Sequence, residues 1–197
     1  MNWFLSLLNS ALIGIFIQNA IFDRALGTNI LMYAAHKKAN TIGLFIGIIY
    51  VTTLSSIPIY FIDMNFSHLE YYNIIMPLVY ILVVSVIYIL SLVVIWRFFP
   101  KLFRYIKKYV HLSVFNCAVL GALFLQHVMG ASLAQYIGYG IGTGVGFLLA
   151  SYLLYAANER LNSELVPEAF RGMPIMTVYV GAISLAFSAF LGYGGTV

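Results

Sequence analysis

Charge is what this chain has least of. Of 197 residues, ten are Lys or Arg and six are Asp or Glu, so 8% carry charge, where a soluble globular domain carries about 25%. That shortage excludes a soluble enzyme. The 62% of positions that are hydrophobic exclude a disordered chain. The single cysteine, Cys117, cannot close an intramolecular disulfide, which excludes a disulfide-stapled secreted domain. Long polar runs are missing too, so no room is left for a catalytic soluble domain beside the apolar part. The formal net charge is +4, yet the basic residues flank apolar stretches. That pattern belongs to a protein oriented in a lipid bilayer, and it speaks against nucleic acid as a partner.

What the chain has is hydrophobic length, with a mean hydropathy of +0.96. Uncharged stretches cover 1–22, 39–62, 71–96, 109–158 and 172–197. A transmembrane helix needs about 20 apolar residues, so four of these stretches hold one span each. The fourth in order, 50 residues long, holds two spans and a bend at Gly130-Ala131-Ser132. The expected fold is an all-α membrane protein of six transmembrane helices, near 3–22, 41–62, 74–96, 111–129, 134–157 and 174–193. The start, MNWFLSLLNSALIGIF, lacks a basic leader and reads as a first span, not as a signal peptide.

The basic residues assign an orientation. Arg24, Lys37 and Lys38 follow span one. Arg97, Lys101, Arg104, Lys107 and Lys108 follow span three, and Arg160 and Arg171 follow span five. The other connections hold only Asp63 and Glu70. Basic loops stay in the cytoplasm, which predicts cytoplasmic loops at 24–38, 97–108 and 158–171 and both termini outside.

Two spans are interrupted. Lys37 lies 34 positions after Trp3, about 51 Å as a continuous helix against a hydrocarbon core of about 30 Å, and Asn19, Asp23, Arg24, Gly27 and Asn29 punctuate it. Span four carries Asn116, Cys117 and Gly121. The predicted helix-break positions are therefore Asn19 and Gly27 in span one, Asn116 and Gly121 in span four. Asn19-Ala20 with Ala25-Leu26-Gly27 parallels Asn116-Cys117 with Val119-Leu120-Gly121 at half the chain length. This predicts one integral membrane domain over 1–197, built as a 3+3 inverted repeat of 1–98 and 99–197.

Among the polar residues, Asp23 and Arg24 are either a solvated pair at the end of span one or an electrostatic element of an ion path. Gly138, Gly142 and Gly146 form a small-xxx-small ridge with a second ridge at Gly140 and Gly144, which predicts close helix contact. Ile137-Gly138-Tyr139-Gly140 lacks the preceding Thr of a potassium filter. The four histidines have no metal-ligand spacing. The run from Arg97 to Lys108, interleaved with Phe98, Phe99, Phe103 and Tyr105, predicts an amphipathic stretch against anionic lipid.

Longer motifs carry a family resemblance. Glu159-Arg160-Leu161, Val166-Pro167-Glu168-Ala169-Phe170-Arg171-Gly172, Ser184-Leu185-Ala186-Phe187 and Asn116-Cys117-Ala118-Val119-Leu120-Gly121 resemble the Rnf/Nqr integral-membrane subunit family over nearly the whole chain. The resemblance implies a membrane subunit of an ion-translocating ferredoxin:NAD or NADH:quinone oxidoreductase in a bacterial or archaeal plasma membrane. It implies a homologous six-span partner subunit of opposite topology, and other membrane, flavin and iron–sulfur subunits that perform the nicotinamide chemistry. It also implies a 2Fe–2S cluster shared with that partner, each subunit giving one cysteine from each broken helix, with electron transfer coupled to Na⁺ or H⁺. Arg24 matches a basic family position.

Cys117 matches the family's span-four cysteine. The span-one cysteine would stand two positions after Leu26-Gly27, where this chain has Asn29. Iron in such clusters is held by thiolates, and an amide oxygen is a neutral, poorer donor. Cys117, with Asn29 at the fourth position, is the expected metal site. Two readings of other classes stay open: a secondary transporter or channel-like protein, and a divergent structural subunit without a cluster.

Overall fold

The computed structural model describes residues 3–68, 70–129, 132–164 and 166–188. Within them, α1 (Trp3–Leu12) is extended by a π-turn over Ile13–Ile17 and followed by α2 (Thr28–Ala35). Then come α3 (Lys38–Phe66), α4 (Tyr72–Phe98), α5 (Pro100–Val114), α6 (Cys117–Val128) and α7 (Leu133–Leu161). A 3-10 turn at Glu168–Phe170 leads into α8 (Met173–Ser188). No strand occurs among the described residues.

Three helices, α3, α4 and α7, are each long and apolar enough to cross a membrane. A fourth crossing is made if α5 and α6, bent by 51° at their junction, count as one span. Trp3–Ile17 and Met173–Ser188 are apolar and shorter. The protein is an all-helical, multi-pass membrane protein.

The expected spans at 41–62, 74–96 and 134–157 fall inside α3, α4 and α7. The expected first span stops early, at Ile17, because the chain leaves the helix before its first charge. The expected fourth span, 111–129, is α6 plus the last turn of α5. α5 runs back to Pro100, whose fixed φ and missing N–H suit a first helical turn. From Lys101 to Lys108 the basic-aromatic run therefore belongs to α5, which packs on α3 and α4, while Arg97 and Phe98 end α4. Of the expected bend, Gly130 and Ala131 lie outside the described residues, as does the span-six end beyond Ser188. Ser132 N-caps α7 in a capping box with Gln135.

α7 runs through the middle, against α1 on one side and α3 on another. Its glycines make this possible. A Cβ on Gly138 or Gly142 would strike the backbone of Leu7 or Ala11 in α1. A Cβ on Gly144 would strike Ile49 of α3, and one on Gly140 would come within 3.2 Å of Thr53. Both predicted ridges are contact faces, and the Ile137–Gly140 tetrad is ordinary α-helix. Without side chains in between, Thr52 Oγ1 reaches the Gly140 carbonyl at 2.8 Å.

α4 shows how little of a membrane helix protein contact needs to cover. Its buried positions, Tyr72, Met76, Tyr80, Val84, Ile87 and Ser91, form one stripe at helical spacing. Residues such as Ile74, Leu78, Ile81 and Leu90 are exposed, and in a bilayer they meet acyl chains as apolar as themselves.

Gly142→Leu is expected to push α1 off α7. Overpacking of this kind costs about 1–3 kcal/mol, readable as a lower unfolding midpoint in lipid nanodiscs. Gly181, with nothing within 4 Å of an added Cβ, is the control, and Gly181→Ala should leave the midpoint in place.

Candidate functional site

The first helix break begins in the π-turn, where Gln18 N–H donates to Ile13 O at 2.8 Å. Asn19 then seals it. This side chain is buried: its Oδ1 accepts from the N–H groups of Ile21 (3.0 Å) and Phe22 (3.3 Å), and its Nδ2 donates to Ile15 O at 2.8 Å. Amides released by the break thus find partners inside the protein, which a bilayer requires. Ala25 at φ +54° and Gly27 at φ +79° turn the chain into α2, and Thr28 Oγ1 donates to Ala25 O at 2.6 Å.

The second break, between α5 and α6, also carries a capping asparagine, whose buried Nδ2 has no partner among the described residues. Asn116 is buried and extended, and its Oδ1 accepts from Ala118 N–H at 3.0 Å. In both breaks an asparagine caps the amide two residues on. Cys117 is the first residue of α6.

The two breaks meet. Gly27 N–H donates to Cys117 Sγ at 2.9 Å. A Cβ on Gly27 would lie 2.5 Å from Asn116 Oδ1 and 3.1 Å from Ala118 Cβ. Only glycine combines that approach with a positive φ. Gly121, expected at a break, lies inside α6 instead. Its missing Cβ makes room for the Leu26 side chain, so it serves the contact between the breaks.

A cleft of about 300 Å³ opens at this junction, with Gly27, Thr28 and Asn29 on one wall and Phe115, Asn116 and Cys117 on the other. Cys117 and Asn29 are both exposed on it. α2 begins at Thr28 and α6 at Cys117, so two helix N-termini, whose amide ends favour negative charge, open onto one cleft. Two residues 88 positions apart, singled out in the sequence only through the family resemblance, share this cleft.

Asp23 and Arg24 do not line it. They pair with each other at 3.0 Å, with half the Arg24 side chain in the open, an arrangement worth about 0–1 kcal/mol. Among the described residues no group of three or more His, Cys, Asp or Glu could hold a metal ion. Asp63, which the sequence shows only as a charge between spans, is buried against the hydroxyls of Tyr72, Tyr80 and Tyr136. Tyr72 and Tyr80, two helical turns apart on α4, were the available signal.

Residues 7–196 match the Rnf-Nqr family, described as "Rnf-Nqr subunit, membrane protein". The chain belongs to that family. It is 34% identical over 176 residues to the A subunit of the ion-translocating oxidoreductase complex of Pasteurella multocida, covering 89% of this chain and 92% of that one. The protein of the same name from Actinobacillus pleuropneumoniae serotype 5b is 32% identical over 89% of this chain and 91% of its own. That of Vibrio vulnificus YJ016 is 31% identical over 90% and 93%. In this Rnf-Nqr chain the Val166–Gly172 motif forms a braced turn. Arg171 donates from Nε to Val166 O at 2.7 Å and from Nη2 to Glu164 O at 3.1 Å, and Gly172 at φ +87° leads into α8.

Gly27→Ala should separate the two breaks and lower the unfolding midpoint more than Asn116→Ala, where loss of an N-cap costs about 1 kcal/mol. A maleimide reagent should label Cys117 in the folded single chain, as its exposure requires. Equal destabilisation by the two variants, or a thiol inert until unfolding, would contradict this geometry.

Proposed function

We propose that the chain is a membrane subunit of an ion-translocating oxidoreductase complex. In this reading it helps carry electrons through a 2Fe–2S cluster shared with a homologous subunit inserted the other way up. The observation that carries the reading is the meeting of the two breaks, where Gly27 N–H holds Cys117 Sγ and Asn29 stands on the same cleft. The names of the relatives supply the complex and its activity.

The donor set fits half of such a site, with one thiolate from Cys117 and one amide from Asn29. Two cysteines from the partner would complete three thiolates and one weak oxygen donor. Bound there, the cluster would supply one-electron transfer between the complex's other redox groups. This chain's residues do the rest: α6 presents Cys117 from its first turn, Asn116 fixes the entry angle, and the Gly27 amide donates to the sulfur. The helix N-termini of α2 and α6 offset negative charge in the cleft.

The same reading has six spans in two inverted halves, the first broken at Asn19 and Gly27 and the fourth, 111–129, broken at Asn116. Support comes from the matched asparagine caps. Both termini lie outside the plasma membrane, since every Lys and Arg follows an odd-numbered span. The exposed cleft calls for a partner subunit to cover it, and the coupling ion is Na⁺ or H⁺. Asn29, standing where a thiolate is wanted, favours one other reading, a structural subunit that lacks the cluster.

Iron content and electron paramagnetic resonance of the purified complex decide between them. A retained cluster predicts an iron signal lost in Cys117→Ser and made more robust in Asn29→Cys. An iron-free interface, with turnover unchanged in Cys117→Ser, would leave only the structural subunit. For topology, Arg104→Cys on a Cys117→Ser background should react with an impermeant thiol reagent only after cells are opened.

A further inference from the structure

Asp63 sits in the last turns of α3, its side chain only 9% exposed. Three hydroxyls surround the carboxylate. Tyr72 of α4 donates to Oδ1, Tyr80 of α4 lies 2.7 Å from both oxygens, and Tyr136 of α7 donates to Oδ2 at 2.6 Å. The imidazole of His127, near the end of α6, brings Nδ1 to 3.3 Å from Oδ2. Four helices contribute to one buried acid. Among the described residues no Lys or Arg forms an ion pair with it.

The other groups around it are known. The Tyr72 ring lies 5.5 Å from the His127 ring, and Tyr60 packs edge-on against Tyr136. Glu70, in the connection after α3, shares a groove with Tyr72. Phe124 stacks on Tyr80. Among the described residues His127 is therefore the one basic group paired with the carboxylate.

At 3.3 Å, His127 Nδ1 stands at ion-pair distance from Oδ2, so a charged imidazole there would be attracted to the carboxylate. The His127 side chain is 17% exposed, about twice Asp63, so the imidazole is the more accessible member of the pair.

We infer that Asp63 and His127 form a proton-binding pair inside a cage of tyrosine hydroxyls. In the step itself, a proton from water bonds to the imidazole of His127, and the pair passes from one net negative charge to none. The three O–H groups keep donating to Asp63, and release is the reverse. A single buried negative charge is costly in a membrane protein, and protonation of the imidazole removes that cost without moving a helix. A hard cation such as Na⁺ would need an all-oxygen shell, whereas here three O–H groups point at the acid and a ring nitrogen holds a further place.

The pair also connects to the first site. α6 runs from Cys117 to His127 in ten residues, about 15 Å of helix. Beside it, Gln126 Nε2 donates to Tyr136 O and its Oε1 accepts from Ser56, while Thr52 bonds Gly140. A buried polar seam between α3, α6 and α7 thus leads inward from the acid. A part in coupled ion movement rests on the redox reading proposed above, but proton binding by the pair does not.

The test is infrared difference spectroscopy of the full chain in lipid nanodiscs, titrated over about pH 5–8, the window in which histidine changes charge. Wild type should show an imidazole change together with a shift of a hydrogen-bonded carboxylate band. His127→Gln should lose the part of the imidazole change that accompanies the carboxylate shift, leaving that of the other three histidines, and Asp63→Asn should lose the carboxylate shift, with Asp63→Glu restoring it. Exchanging K⁺ for Na⁺ at fixed pH should change nothing. A spectrum unaffected by pH, one identical in His127→Gln, or a band moved by Na⁺ alone overturns the pair. Tyr80→Phe, which keeps both partners, should shift the carboxylate band and serves if Asp63→Asn fails to fold. In the assembled complex, His127→Gln should lower the protons moved per electron, and an unchanged ratio removes the pair from the coupling path. Absence of electron transfer in the wild-type complex would sink the redox reading alone, with the infrared titration still deciding the pair.

Discussion

A backbone amide inside a bilayer has no water to bond, so a helix that breaks there must find its lost partners within the protein. This chain breaks twice, before α2 and before α6, and the rest of the molecule is arranged around that requirement. Buried Asn19 and Asn116 each accept from the amide two residues on. The breaks are then pressed together, Gly27 against Asn116 and Leu26 against Gly121. What results is irregular backbone at one junction, sealed from lipid on the inside and open on one face where Cys117 and Asn29 lie.

Holding the breaks in register needs a rigid support, and α7 provides it. Its glycines bring α1 and α3 to backbone contact on two faces. Gly146 lies under the first break, where a Cβ would come 2.7 Å from Asn19 Nδ2. Tyr139 Oη donates to Gln18 O at 2.9 Å. Apolar burial adds little between helices in lipid, because acyl chains are equally apolar, so close packing and interhelical hydrogen bonds carry the association. Polar side chains that a soluble core would avoid, Thr52, Ser56 and Gln126 among them, are buried here for that reason.

The same economy sharpens the contrast between the two polar centres. The Cys117 cleft is an open face, and in the function proposed above its set of donors is completed by a second subunit. At Asp63 the set of partners is complete within the chain, drawn from α3, α4, α6 and α7. One centre looks outward to an assembly and the other is closed on itself, with α6 as the common element.

Sequence alone determined the membrane class, the ranges of α3, α4 and α7, the presence of two interruptions and the family. These follow from local quantities: runs without charge, glycine spacing along one helix, and contiguous motifs such as Asn116–Gly121. It also marked Cys117 and Asn29, though only through the family resemblance. What only the tertiary structure decided is who meets whom. Gly121 read as a break and proved a packing position, because its neighbour Leu26 lies 95 residues away. Asp63 read as a charge in a connection and proved buried, because its partners at 72, 80, 127 and 136 come from three other helices. A hydrophobic run records that a helix enters lipid, since the bilayer acts on every residue of it alike. Which of its polar side chains face each other depends on helix rotation and crossing, and those are set by contacts between segments far apart in the chain.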